Sequence, residues 1–345
     1  MSAMAARSTA RAGPPRATPW LEGRWAIVTG GTRGIGLAVA RGLAARGMRV
    51  ILVGRDPDAG AAALAELRRV AGDEAGIWLG ADLASRREVL ALAARIRDAA
   101  PRLDLLVLNA AVVTPTRTLT PDGHEMQLAV NHLAPYLLTH DVLPLLSDGG
   151  RIVVTSSQVE RGARLDLDDL TCARRFDPGA AYARTKLANL LFTYELAERL
   201  QGTSVTANCL HPGVVRTELL DTLDRIDRER EPRARGARRA AGALRHAVGR
   251  SLRALGLLQR APDWALGTED GAAMTLTVAT DPSLAGVSGR YFRDGAEAES
   301  SPESRDVALR RALWDASAAL VGVSPDWPRR VTPATPGLPG TLVMR

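Results

Sequence analysis

The chain has 345 residues, 46% of them hydrophobic, enough to bury one large α/β core or two small ones. No run of about 18 apolar residues occurs, so nothing in it reads as a membrane-spanning helix. The net charge of +7 raises nucleic acid as a partner, but aromatics make up only 4% and the arginines are scattered along predicted helices, which sets that reading aside.

Two cysteines, Cys172 and Cys209, lack metal-ligand spacing and suit a reducing cytoplasmic setting as structural thiols. Residues 1–20 carry Arg7, Arg11 and Arg16, no acid, and three prolines that argue against an amphipathic targeting helix; a disordered extension is expected. From Arg24 to Thr29 an apolar run reads as a buried strand. It leads into Gly30-Gly31-Thr32-Arg33-Gly34-Ile35-Gly36 and then a helical pattern to Arg46. Strand, glycine turn and helix form the context of a dinucleotide fingerprint: the glycines let the backbone approach a pyrophosphate, which sits at the helix N-terminus.

Met48 to Val53 supplies the second strand, and the residues at its end select the cofactor. An acid there bonds ribose hydroxyls, whereas a base accepts a 2′-phosphate. The sequence places Gly54 where the acid is expected, followed by Arg55, and Arg33 can approach the same phosphate; NADP(H) is expected over NAD(H). Asp56 is a candidate cap for a helix starting near Pro57.

The alternation continues with a strand at Ile77 to Gly80 ending in Ala81-Asp82-Leu83, a helix from Arg86 to Ala99, and a strand from Leu103 to Leu108 ending in Asn109-Ala110-Ala111. A long helical pattern from about Gly123 to Leu146 carries Asn131, with Pro135 and Pro144 expected to bend it. Arg151 to Thr155 is a fifth strand ending in Ser156-Ser157, and about two dozen residues follow, including a stretch around Asp166 to Asp169 expected as a surface loop. A helix carrying Tyr182 extends to Leu200, Ser204 to Leu210 is the sixth strand, and His211-Pro212-Gly213 ends it. A helix from Thr268 to Thr280 precedes a short strand near Gly289 to Phe292. Apolar runs separated by helices predict an α/β fold: a Rossmann-like, doubly wound, mainly parallel seven-stranded sheet with helices on both faces, in a single domain over 21–322. Residues 323–345 read as a loose Pro-rich tail.

Chemistry is expected at Tyr182-Ala183-Arg184-Thr185-Lys186. Residues four apart share a helical face, so the phenol of Tyr182 and the ammonium of Lys186 point the same way, and the ammonium is expected to lower the phenol's pKa toward neutral. Of the 45 basic Lys and Arg positions only Lys186 is lysine. A guanidinium is too wide and planar to replace it against a ribose and a phenol.

Taken together, Thr29 to Gly36, Asp82, Asn109-Ala110-Ala111, Asn131, Ser157, Tyr182 with Lys186, and Pro212-Gly213 resemble the short-chain dehydrogenase/reductase family over roughly residues 24–295. The stretches Lys186 to Thr193, His211 to Thr217 and Ser288 to Phe292 are similar to its retinol dehydrogenase-like branch. The resemblance implies an oxidoreductase of CH-OH groups with Asn131, Ser157, Tyr182 and Lys186 as the catalytic set. Ser157 holds the substrate oxygen, Tyr182 passes the proton, Lys186 holds the ribose, and Asn131 anchors a water that refills the proton. Cofactor contact is implied for Gly30, Thr32, Arg33, Gly34, Ile35, Gly36, Arg55, Asp82, Leu83, Asn109, Ala110, Ala111, Tyr182, Lys186, Pro212, Gly213, Val215 and Thr217. No metal is expected.

Asn109 and Asn131 also read as backbone braces, Asp82 as a helix cap, and His211 as structural. Residues 216–265 are basic, with Leu244, Val248, Leu252 and Leu255 at helical spacing, and are expected to form a lid over an apolar, medium-sized carbonyl or alcohol substrate. Membrane-surface or partner contact by this segment is the less favoured alternative, and a homodimer is left open. A cofactor-binding sensor without turnover and an epimerase or dehydratase using transient hydride transfer are the rival functions; the intact Ser157, Tyr182 and Lys186 set argues against the sensor.

Overall fold

The computed structural model of the protein describes residues 19–223, 225–226 and 266–328. The expected N-terminal extension, all but the first part of the lid, and most of the tail lie outside the described residues.

Eight strands form one sheet in the order β3-β2-β1-β4-β5-β6-β7-β8. They are β1 (Trp25–Thr29), β2 (Arg49–Gly54), β3 (Gly76–Gly80), β4 (Leu103–Leu108), β5 (Leu146–Thr155), β6 (Thr206–Leu210), β7 (Tyr291–Arg293) and β8 (Ala296–Glu297). All neighbours are parallel except β7 and β8. The chain runs outward from β1 to β3 and then returns to β4 beside β1, with Val28 in register with Leu52 on one side and Val107 on the other. At such a reversal the flanking connections part on opposite faces and leave a crevice at the C-terminal strand ends. The strands there are apolar because both faces are covered: β4 is buried throughout.

Helices α1 (Gly34–Ala44), α2 (Pro57–Ala71) and α7 (Thr268–Thr280) pack with one face of the sheet; α3 (Arg86–Ala99), α5 (Ala134–Val142) and α6 (Pro178–Arg199) pack with the other. Asp56 caps α2 as expected, its Oδ1 accepting from the amides of Asp58 and Ala59 at 3.0 and 3.1 Å. Ser85 caps α3.

Four expectations are corrected. The helix expected from Gly123 to Leu146 is broken into α4 (Met126–Leu128), a π-helical turn at Ala129–Leu133, α5 and a 3₁₀ turn at Leu143–Leu145, after which β5 starts at once. Pro135 has no N–H to return to the preceding turn, and the helix widens there, Ala134 donating to the carbonyl of Ala129. In the acidic stretch before Tyr182, Asp166 and Asp168 are exposed as a surface loop requires, but Asp169 is buried and accepts from the amides of Ala173 and Arg174. The eighth strand closes a two-residue Asp294-Gly295 hairpin in which both residues have positive φ.

The fourth correction is the C-terminal end. Helix α8 (Val307–Val321), capped by Asp306 and stopped by Gly322 in the left-handed region, packs on α6 and was not expected. It brings Trp314 to within 4.9 Å, centroid to centroid, of Tyr136 and 4.5 Å of Trp327. Trp327 donates from Nε1 to the Tyr136 hydroxyl at 2.9 Å, so the expected loose tail is core as far as this residue. Its side chain packs edge-on to Tyr136 and His140, and removing it opens a large cavity. Trp327→Ala is expected to cost about 3–5 kcal/mol, read as a fall in the urea midpoint at constant slope; an unchanged midpoint would remove Trp327 from the core.

Candidate active site

A crevice of about 930 Å³ opens at the β1/β4 switch point. Every residue expected to contact cofactor lines it, and so does Ser157; Asn131 does not.

The glycine turn is shaped by close approach. Gly30 has φ +65, and a Cβ on Gly36 would lie 2.1 Å from the Gly30 carbonyl oxygen and 2.7 Å from Asn109 Nδ2. Asn109 is held from beneath: its amide and that of Ala110 donate to Thr29 Oγ1 at 2.9 and 3.1 Å, and its side chain donates to the Thr29 carbonyl. It is a brace for the turn, with Thr29 as a seat that sequence reading missed. Helix α1 starts with no side-chain cap, so its first-turn amides and positive dipole end face the crevice. This is the donor set a pyrophosphate needs, and the residues present fit a dinucleotide.

At the end of β2, Gly54 stands close to Thr32, whose side chain would meet a Cβ there at 2.7 Å. Glycine at this position makes room for Thr32 and removes the acid. Asp56 uses one oxygen to cap α2 and the other to hold Arg33 at 3.3 Å, while Arg33 also reaches Glu218 at 3.0 Å across the crevice mouth. All three are well exposed, and exposed pairs of this kind are weak. Arg55 is exposed on the crevice rim and has no ion-pair partner among the described residues. Asp82 is not the cap of α3; its Oδ1 accepts from Ala84 in a tight turn, and its backbone amide donates to Glu88.

Tyr182 and Lys186 lie on one face of α6 at the crevice, 8% and 2% exposed. Lys186 Nζ donates to the Thr155 carbonyl at 3.1 Å and lies 5.3 Å from the centroid of the Tyr182 ring. Burial lowers Lys186 to about 8, which leaves most of the ammonium charged at neutral pH. Burial raises Tyr182 above the ordinary phenol range, the reverse of the expected lowering. The cause is geometric: the ammonium lies over the ring face and is tied to Thr155, so desolvation of the phenolate dominates. Both Ser156 and Ser157 line the crevice, but the Ser156 hydroxyl is committed to α6, donating to the Lys186 carbonyl at 2.7 Å, which leaves Ser157 as the serine for a substrate oxygen.

Asn131 makes the contacts of a backbone brace, one of the two readings its position allowed. It is fully buried, accepts from the Val112 amide at 2.8 Å, and donates to the Val112 carbonyl and to Thr185 Oγ1 at 3.0 and 3.1 Å. Its side chain fastens the loop after β4 to α6. His211 lines the crevice with no partner for Nδ1 among the described residues, and burial lowers it to about 4, so it is neutral.

Part of the crevice lining is apolar: Val112, Val159, Leu219, Leu220, Leu223 and Ile226. The helical spacing after Thr217 was the available signal for the last four; nothing local marked Val112 or Val159.

The short chain dehydrogenase family model matches residues 24–227, more than half of the chain. The chain belongs to the short-chain dehydrogenase family. Members are NAD(P)-dependent oxidoreductases, and this chain is one by the same fold and crevice. Retinol dehydrogenase 14 of Mus musculus is 36% identical over 321 residues, spanning 88% of this chain and 87% of that protein. Retinol dehydrogenase 13 of Homo sapiens is 38% identical over 321 residues, spanning 91% and 89%. Among solved structures, a short chain dehydrogenase from Burkholderia cenocepacia in complex with NADP is 26% identical with a TM-score of 0.58, covering 79% of this chain and 96% of that one.

Proposed function

We propose that this short-chain dehydrogenase is an NADP(H)-dependent oxidoreductase that interconverts an aldehyde or ketone with its alcohol on an apolar, medium-sized substrate. The observation that carries the reading is a buried phenol and a buried ammonium one turn apart on α6, beside Ser157 and open to the glycine-turn crevice.

When bound, the nicotinamide supplies the hydride chemistry at the carbonyl carbon. The first-turn amides of α1 hold the pyrophosphate, and Lys186, with donors beyond the one on Thr155, holds the ribose. Ser157 hydrogen-bonds the substrate oxygen. Tyr182, protonated at neutral pH, gives its proton to that oxygen as the general acid in reduction and takes it back in oxidation. The apolar wall from Val112 to Ile226 receives the rest of the substrate. Names of relatives point to retinoids, so all-trans-retinal and nonanal are the first probes, with loss of reduced-nicotinamide absorbance as the readout; a chain inert on both with either cofactor would overturn the reading.

NADP(H) preference rests on the missing acid at Gly54 and the exposed cation at Arg55. An arginine on a phosphate makes charge-assisted bonds that NADH cannot use. Arg55→Ala is expected to weaken NADPH binding by roughly tenfold, a loss of about one charge-assisted bond, while leaving NADH binding unchanged. Equal discrimination in titrations of mutant and wild type would remove Arg55 from the cofactor site.

A further inference from the structure

Three residues after Ser157 the chain buries a carboxyl group. Glu160 is 0% exposed, closes the 3₁₀ turn Gln158–Glu160 that starts from Ser157, and donates its own amide to the Ser157 carbonyl at 3.1 Å. One of its oxygens accepts from the Ser301 amide at 3.0 Å, 141 residues further along the chain; the other has no partner among the described residues. Burying a carboxyl is costly, and here burial pushes it above the ordinary carboxylate range in spite of the Ser301 bonds. An apolar side chain would fill the space without that cost, but it would not make the connection that this carboxyl makes.

That connection runs on. Ser300, beside Ser301, is 2.8 Å from the Tyr194 hydroxyl, and Tyr194 stands on α6, the helix of Tyr182 and Lys186. Ser304 closes the cluster from below, donating to Ser300 Oγ or to the Ser301 carbonyl at 2.7 Å each. The serine turn and the tyrosine helix are thus joined through one buried bridge of Glu160, Ser301, Ser300 and Tyr194. Among the described residues, a second polar tie between the end of β5 and α6 is made at Ser156, Lys186 and Asn189.

We infer that Glu160 is a positioning residue: through Ser300 and Ser301 it locks the turn bearing Ser157 to the helix bearing Tyr182, fixing the two groups that must meet one substrate oxygen. This rests on the proposed roles of Ser157 and Tyr182. It assigns to Tyr194 a share in the same lock, although Tyr194 does not line the crevice.

The test uses the full chain, NADPH and nonanal, with kcat referred to the NADPH-titrated fraction. Glu160→Ala and Tyr194→Phe are each expected to lower kcat by about 10- to 100-fold, the cost of misplacing a reacting group by a fraction of an ångström, with NADPH affinity unchanged. Because both variants cut one bridge, the double variant is expected to be no slower than the slower single, whereas Glu160→Gln, which still accepts from Ser301, returns kcat to near wild type. Wild-type kcat in both single variants, or losses that multiply in the double, would overturn the lock. If Glu160→Ala does not fold, Tyr194→Phe and Glu160→Gln decide: wild-type kcat in the first or a tenfold loss in the second overturns it. Ser157→Ala separates the two layers. If it keeps turnover, the proposed site is wrong and the lock falls with it; if it loses turnover while Glu160→Ala keeps it, only the lock falls.

Discussion

Tyr182→Phe is expected to fold, bind NADPH as the wild type does, and lose turnover by roughly 10³- to 10⁴-fold, the upper range for removing a positioned acid. In free energy that is about 4–5 kcal/mol of transition-state stabilisation. The fold survives because the ring is what α6 buries, and the hydroxyl has no hydrogen-bond partner among the described residues to be left unsatisfied. Cofactor binding survives because the glycine turn, Arg55 and the Lys186 bond to Thr155 are untouched. The measurement pairs a fluorescence titration with NADPH against initial rates on nonanal and all-trans-retinal. A variant with a tenth or more of wild-type activity would take the proton step away from Tyr182 and, with it, the main support for the proposed reaction.

Gly36→Ala is expected to do the converse, removing cofactor binding through the backbone. The added methyl would stand 2.1 Å from the Gly30 carbonyl oxygen, a distance at which the turn itself must open. Neither neighbour can give way cheaply: Gly30 is pressed against Ala110, and Asn109 is pinned to Thr29 from below. Overpacking of this kind costs about 1–3 kcal/mol of stability, and the displaced amides no longer converge on a pyrophosphate. NADPH affinity is expected to fall by about 100-fold or more, the loss of two or more charge-assisted bonds. Gly34→Ala is the control. Its φ of +56 strains an alanine, but the nearest atom to the new methyl is Thr217 Cγ2 at 3.7 Å, so the loss is confined to about 1–2 kcal/mol of backbone strain. If Gly36→Ala bound NADPH no worse than Gly34→Ala, close packing of the turn would not be what shapes the site.

These expectations differ in how much of their basis was visible in the linear chain. The glycine turn, the missing acid at Gly54 and the spacing of Tyr182 to Lys186 are local patterns, set by backbone geometry within one turn or one strand end. They could be read, and the crevice brings them together. The sign of the Tyr182 shift could not be read. It depends on how much water the phenol loses and on where the ammonium hydrogen-bonds, and both are set by α6 packing against β5. Asn131 was recognised by family pattern, yet its amide is occupied by Val112 and Thr185, partners 19 and 54 residues away. Helix α8 was overlooked although its cap at Asp306 and its stop at Gly322 stand in the sequence, because no motif drew attention to a segment after the last expected strand.

The amino-acid sequence by itself determined the order of the first seven strands, the dinucleotide turn, and the single lysine one helical turn from a tyrosine. Each follows from interactions within a few residues: apolar periodicity, glycine's freedom at positive φ, and side chains four apart. Tertiary structure alone decided which polar groups at the site are free and which are already taken. Asn109 and Asn131 became braces, the Ser156 hydroxyl was taken by the Lys186 carbonyl while that of Ser157 was not, burial raised the Tyr182 phenol instead of lowering it, and Glu160 met Ser301. A side chain's hydrogen-bond partners and its contact with water are properties of what the fold places beside it, and those neighbours are distant along the chain.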